Sequence, residues 1–325
     1  MIQTITLDEI EAAARIVYTE MQATPQYCWP LLSERLGTEV WVKHENHTPI
    51  GSFKIRGGLV YFANLVKSSE IPKGIVSATR GNHGQSVGFA ARRYGIPATI
   101  LVPHGNSVEK NAAMRAFGVH LIEHGEDFQA AREYAKDLAH EKSLKMISSF
   151  DPLLVTGVAT YSLELLRAVK DLDVVYVPIG LGSGICGMLA VRDALELNTE
   201  IVGVVSAHAN TYAKSFVSRS PVESTVSTKI ADGIDCRVPE QSALDLIWKG
   251  VERIVQVSDT EIAESMRIMY ECTHNVCEGA GAAAIAAALQ ESSKNKGLKV
   301  AVIASGGNVD RDVFAKILNG ENFVD

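Results

Sequence analysis

Lys54 sits in the octapeptide GSFKIRGG (51–58), behind a serine and a phenylalanine and ahead of an arginine and two glycines. A lysine amine in such a setting forms a Schiff base with an aldehyde cofactor when its surroundings permit. Three glycine-bearing loops follow: TRGNHGQ (79–85), GLGSGICG (180–187) and SGGNVD (305–310). The second follows the buried-type run VVYVPIG (174–180) and opens a helical stretch. Glycines at 180, 182, 184 and 187 let backbone N–H groups converge on an anion there. The helix dipole adds to this, and Ser183 offers one more donor. The same residues contain G-x-G-x-x-G (182–187), which also marks dinucleotide turns. That alternative calls for an acidic residue about 20 positions on, at the end of the next strand. Here that strand ends in Ser206-Ala207-His208, which supplies none. A plain tight turn is the remaining alternative. The loop TRGNHGQ follows GIVSAT and starts a helix, so its N–H groups can hold a carboxylate. Ser305 closes the run KVAVIAS, at the strand end where open α/β sheets place ligand-contacting residues.

These loops must be held by a frame, and the frame is legible. Strand-like runs occur at 39–45, 74–79, 98–103, 174–180, 201–206, 253–258 and 299–305. Helical stretches lie between most of them, at 81–95, 107–117, 126–144, 155–170, 184–198 and 259–293. This alternation predicts an α/β fold whose mostly parallel sheet is covered on both faces. The 325 residues suffice for a large core and two lobes.

A net charge of −7 argues against nucleic acid or an anionic membrane as partner. No apolar run reaches the ~18 residues of a membrane span. The start, MIQTITLDEIEAAAR, carries Asp8, Glu9 and Glu11 and no basic stretch, so it does not read as a secretory signal. Five cysteines form an odd, sparse set that fits a reducing cytosol. No further module follows Asp325 in this sequence, which predicts no separate effector-binding domain.

Taken together, GSFKIRGG, TRGNHGQ, GLGSGICG and SGGNVD resemble the fold type II (β-family) pyridoxal-phosphate enzymes, most closely their serine/threonine dehydratase branch. ADG (231–233) and CEGAGAAA (277–284) match the same branch. The resemblance implies a two-lobed α/β architecture with parallel-rich sheets. A small inserted domain would span 48–150, and 1–47 plus 151–325 would form the large cofactor-binding domain, with SSFDPLL (148–154) as the crossing. It implies that Lys54, beside Phe53, carries pyridoxal 5′-phosphate. Asn82 would bond the 3′-oxygen of the cofactor. Gly180, Leu181, Gly182, Ser183 and Gly184 would cradle its phosphate, Glu278 would lie near its ring, and Ser305 would bond its pyridine nitrogen. Ser52, Thr79, Arg80, Gly81 and His83 would bind substrate. The implied reaction converts an L-3-hydroxy amino acid (serine, threonine or a bulkier analogue such as phenylserine) to a 2-oxo acid and ammonia by β-elimination, with Lys54 as general base. A β-replacement enzyme of the cysteine or threonine synthase kind is the alternative within the chemistry. A non-catalytic ligand sensor is the alternative outside it. The resemblance also implies a homodimer, while the cysteine usage and the N-terminus point to a cytoplasmic protein.

Three departures from the family pattern, and two cysteine features beside them, carry expectations of their own. Arg80 stands where a serine usually precedes GNH; in racemases of the family that serine is the second acid/base. An arginine cannot accept a proton, so racemisation is disfavoured; Arg80 instead binds an anionic group or points to solvent. Ala207 and Ala213 stand where some dehydratases place metal-binding carboxylates, so no metal is expected there. Trp29 and Ile50 make the entrance more apolar, which predicts a preference for a larger β-substituent; the alternative is that they fill space and restrict the pocket to serine and threonine. Cys272, His274 and Cys277 have zinc-ligand spacing but lack a fourth ligand at usual spacing. Cys186 reads as a small packing residue.

Overall fold

Short β-branched runs and longer amphipathic stretches take turns along this chain, and the computed structural model folds them accordingly. It describes residues 5–68, 71–321 and 323. The elements run α1 (Leu7–Val17), β1 (Gln26–Cys28), α2 (Pro30–Leu36), β2 (Glu39–His44), α3 (Lys54–Leu65), β3 (Ile75–Ala78), α4 (Asn82–Arg93), β4 (Ala98–Val102), α5 (Val108–Ala116), β5 (His120–Glu123), α6 (Phe128–Glu141), β6 (Lys145–Met146) and α7 (Pro152–Ala168). They continue with β7 (Val174–Pro178), α8 (Ser183–Ala194), β8 (Glu200–Ser206), α9 (Thr211–Ser218), α10 (Gln241–Gly250), β9 (Arg253–Val257), α11 (Asp259–Thr273), α12 (Gly279–Gln290), β10 (Lys299–Ala304) and α13 (Arg311–Leu318).

Two sheets result. A six-stranded sheet has the order β1-β2-β10-β7-β8-β9, and a four-stranded sheet the order β5-β4-β3-β6. Every pairing is parallel except β1 with β2. Parallel strands are buried on both faces, which is why β3, β7 and β10 read as nearly unbroken apolar runs. Large apolar cores fill both faces of the six-stranded sheet, one around Val158, Val177 and Ile185, the other around Val202, Ala284 and Met266. A separate core around Phe62, Ile100 and Met114 serves the smaller sheet.

Each of the seven strand-like runs forms a strand. The short strands β1, β5 and β6 and the helices α1, α2, α3, α9, α10 and α13 add to that reading. The run 259–293 divides into α11 and α12, as its length requires.

Candidate active site

Lys54 is the first residue of α3, and its place is set by the strand end opposite. The segment 51–53 zips onto 305–307: Phe53 N donates to Ser305 O at 3.1 Å, and Gly307 N donates to Gly51 O at 2.9 Å. Ser52 and Gly306 form an isolated antiparallel bridge. Gly51 has φ +68°, and a Cβ there would lie 2.6 Å from Asn308 Oδ1, so the turn needs glycine. The zipper brings Lys54 and Ser305 to the same cleft, about 520 Å³ in volume.

That cleft gathers residues far apart in sequence. Phe53, Lys54, Thr79, Arg80, Gly81, Asn82, His83, Gly180, Leu181, Glu278 and Ser305 all line it. Gly182, Ser183 and Gly184 follow Leu181 in the chain and are not among the cleft-lining residues, though Lys54 Nζ donates to Ser183 Oγ at 3.3 Å. Gly182 takes a left-handed φ of +101° and caps α8. A Cβ on Gly180 would meet Gly233 O at 2.7 Å, so the glycine loop and the ADG loop touch through bare backbone. The N-terminus of α8 thus starts at Ser183, within hydrogen-bond reach of Lys54, and a helix start is a setting that favours an anion.

The electrostatics follow from burial. Burial lowers the Lys54 amine to about 8, against the opposing charge of Glu278. Burial lowers His83 to about 3, so its ring is neutral. Glu278 is raised by burial, and Lys110 opposes that rise. Lys110 Nζ lies 3.1 Å from Glu278 and 2.7 Å from Asp232. Burial alone would lower Lys110, but these two carboxylates hold it above its ordinary value and keep it charged. Asn82 Nδ2 donates to Glu278 Oε1 at 2.5 Å, and its Oδ1 accepts from Asn308 Nδ2 at 2.8 Å. Ser305 Oγ makes only a long 3.5 Å contact to Ala280 O.

Some site residues escape a reading of the sequence. Lys110 on α5, Arg132 on α6, and Asp127, Asp235 and Arg237 line the cleft. As lone charges on amphipathic stretches or in a loop, they look like solvated positions. Lys110 alone leaves a trace after folding, since it is only 5 % exposed.

The structure also corrects two expectations. Neither Trp29 nor Ile50 is among the cleft-lining residues. Trp29 Nε1 donates to His44 Nε2 at 2.9 Å. Ile50 is buried among Val17, Ile55 and Leu59. The apolar-entrance argument for a large β-substituent thus loses its basis. Arg56, close in sequence to Lys54, turns away from the cleft: it bonds Glu45 at 2.7 Å and Glu164 at 2.6 Å, fully buried, and ties α3 to α7. Cys186 is buried, and burial pushes its thiol up to about 12. Among the described residues no three His, Cys, Asp or Glu side chains come together in a metal-holding group.

The sequence profile of the "Pyridoxal-phosphate dependent enzyme" family matches residues 17–306. The chain belongs to the pyridoxal-phosphate-dependent enzyme family. It is 33 % identical over 316 residues to an L-threonine ammonia-lyase of Thermotoga maritima, covering 97 % of this chain and 78 % of that protein. It is 32 % identical over 327 residues to a catabolic L-threonine dehydratase, TdcB, of Staphylococcus aureus, covering 99 % and 94 %. Among solved structures it is similar to threonine deaminase isoform 2 of Solanum lycopersicum, with TM-score 0.88, 30 % identity and coverage of 97 % and 94 %. It is also similar to maize serine racemase, with TM-score 0.89, 26 % identity and coverage of 98 % of each chain.

The residues present fit pyridoxal phosphate. Ser52 Oγ, Arg80 Nε, His83 Nε2 and Gln85 Nε2 are buried without a hydrogen-bond partner, all on the two segments around Lys54. Such orphans cost about 1–3 kcal/mol each, so their clustering points to a polar group received here. A buried amine of lowered pKa, a bare-backbone anion cradle and a strand-end hydroxyl meet what an aldehyde, a phosphate and a pyridine nitrogen each require.

Proposed function

We propose that this pyridoxal-phosphate-dependent enzyme is an ammonia-lyase that eliminates water from an L-3-hydroxy amino acid, giving a 2-oxo acid and ammonia. The observation that carries it is Ser305, at the end of β10 and facing the same cleft as Lys54. When bound, the cofactor supplies a sink for the electron pair left as the Cα–H bond breaks. A serine hydroxyl cannot protonate a pyridine nitrogen as a carboxylic acid does, so it leaves that sink weak. A weak sink suits elimination, in which a β-leaving group drains the electron pair at once, and suits transamination poorly. The names of the two curated relatives support the same reading.

In this reading Lys54 holds the cofactor aldehyde, and the Gly180–Gly184 loop holds its phosphate. Asn82 and Glu278 border its ring. Thr79, the amides that follow it and neutral His83 receive the substrate carboxylate; Thr79 is only 4 % exposed and already orders the loop by accepting from Gly81 N at 3.0 Å. Lys54 Nζ would also take the Cα proton. Its lowered pKa leaves a sizeable neutral fraction near pH 7, as a general base needs. Lys110 keeps its proton between Asp232 and Glu278 and fixes their orientation.

The proposal extends to organisation. Residues 48–150 form the small domain and 1–47 with 151–325 the large one, supported by β3 to β6 sharing one sheet. The assembly is a homodimer, a reading that rests on the family resemblance, and its place is the cytoplasm, a reading that rests on the five sparse cysteines. The test is a panel of L-3-hydroxy amino acids assayed for 2-oxo acid and ammonia. Equimolar release of both is expected. No release from any of them, with product appearing only when a thiol is added as second substrate, would favour β-replacement instead.

A further inference from the structure

One strong charge at this site has no task in the reaction above. Arg80 lies between Thr79 and Gly81 and lines the same cleft as Lys54. Its Nε is buried without a hydrogen-bond partner. Among the described residues its guanidinium makes no hydrogen bond or ion pair, and the same holds for Arg132, which lines the cleft from α6. Arg237, also on the wall, reaches Asp127 only at 3.9 Å. Two of the nearby carboxylates, Asp232 and Glu278, bind Lys110. Asp235 is close enough to feel the charge of Arg80 but forms no ion pair with it. A chain of net charge −7 thus keeps unpaired guanidinium groups in the cleft that holds Lys54.

An arginine stays charged at any working pH, and its planar fork matches a carboxylate or phosphate. A partly buried guanidinium with no partner is costly unless an anion completes it. The cofactor phosphate does not need Arg80, because the glycine loop at the start of α8 on the six-stranded sheet serves it. The substrate α-carboxylate has Thr79 and the loop amides. What remains is a second anion, on the side chain.

We propose that Arg80, assisted by Arg132, binds an anionic group at the β-position of the substrate. The preferred substrate is then an L-3-hydroxy amino acid bearing a second carboxylate, or the phosphate ester of one. This rests on the ammonia-lyase reading. With a β-carboxylate the hydroxyl leaves as water, the water is taken up again when the nitrogen is released, and the net products are a 2-oxo dicarboxylate and ammonia. With a phosphate ester the leaving group is phosphate, and one water is consumed to give the 2-oxo acid, ammonia and phosphate.

The test compares kcat/KM for L-threo-3-hydroxyaspartate, O-phospho-L-serine, L-serine and L-threonine in the wild type, Arg80→Ala and Arg80→Lys. Preference for one of the first two over L-serine is expected, and which one identifies the anion. In Arg80→Ala the ratio of that kcat/KM to the one for L-serine should fall roughly 10- to 100-fold, the range for losing a charge-assisted hydrogen bond. Arg80→Lys should recover part of it. Calorimetry on the resting holoenzyme adds a readout independent of turnover: succinate should bind more tightly than butyrate, and Arg80→Ala should abolish the difference. A wild type that prefers L-serine or L-threonine, with ratios unmoved in Arg80→Ala and equal binding of the two acids, would overturn the proposal. If no substrate yields a 2-oxo acid while succinate still binds through Arg80, the anion site stands and the ammonia-lyase reading falls.

Discussion

The lowered pKa of Lys54 sets how fast the apoprotein captures its cofactor, because only a neutral amine attacks an aldehyde. Burial takes this amine from 10.5 to about 8, with Glu278 opposing. At pH 7 an amine of pKa 10.5 is neutral in about 0.03 % of molecules, and one of pKa 8 in about 9 %, a gain of roughly 300-fold. The shift corresponds to about 3 kcal/mol disfavouring the protonated form in the folded state. Its sign for stability is fixed: the folded apoprotein binds fewer protons than the unfolded chain between about pH 8 and 10.5, so this group's penalty is full below 8 and lifts as pH rises through that window. The assay is stopped-flow mixing of apoprotein with pyridoxal phosphate from pH 6 to 10, each rate divided by that of Nα-acetyl-lysine at the same pH. The division cancels the titration of the cofactor itself. The ratio should be largest near pH 6–7 and decline above pH 8, as Lys54 saturates in its neutral form and the model amine continues to gain. A ratio flat across the range would show an ordinary, solvated amine and refute the reasoning.

Three further outcomes follow. L-serine incubated with the enzyme should yield pyruvate without D-serine, since Arg80 stands where a proton-accepting serine is usual; substantial D-serine would show that another residue serves the opposite face. Prolonged chelation should leave rate and Tm unchanged, because Ala207 and Ala213 supply no hard ligand, whereas a loss restored by magnesium would place a cation elsewhere. Lys110→Met should lower stability by about 3–5 kcal/mol, the cost of leaving a buried charge unpaired; a thermal midpoint equal to wild type would mean the Lys110 cluster is solvated.

How much of this was legible depends on the distance over which each feature is encoded. β7 and β10 are continuous apolar runs ending in glycine turns, so both the strands and the loops beyond them declare themselves. Helix α3 does not, because Gly57 and Gly58 weaken it as an isolated helix. The reason lies in packing: a Cβ on Gly57 would sit 2.9 Å from Leu154 O, and one on Gly58 would sit 2.3 Å from Ser86 Oγ. The misplaced residues, Trp29 and Ile50, are near Lys54 in sequence, yet the turn at Gly51 sends Ile50 into the core and Lys54 into the cleft. Lys110 and Arg132 are invisible for the opposite reason, since only the tertiary fold brings α5 and α6 to the glycine loop. Arg80 was visible as a departure from the family pattern, but its missing partner is a three-dimensional fact.

Everything above turns on Lys54 as the point of cofactor attachment. Borohydride reduction of the holoenzyme, followed by digestion and mass spectrometry, locates the lysine bearing the pyridoxyl group. The pyridoxyl group is expected on Lys54; finding it on another lysine, with Lys54 unmodified, would refute that attachment.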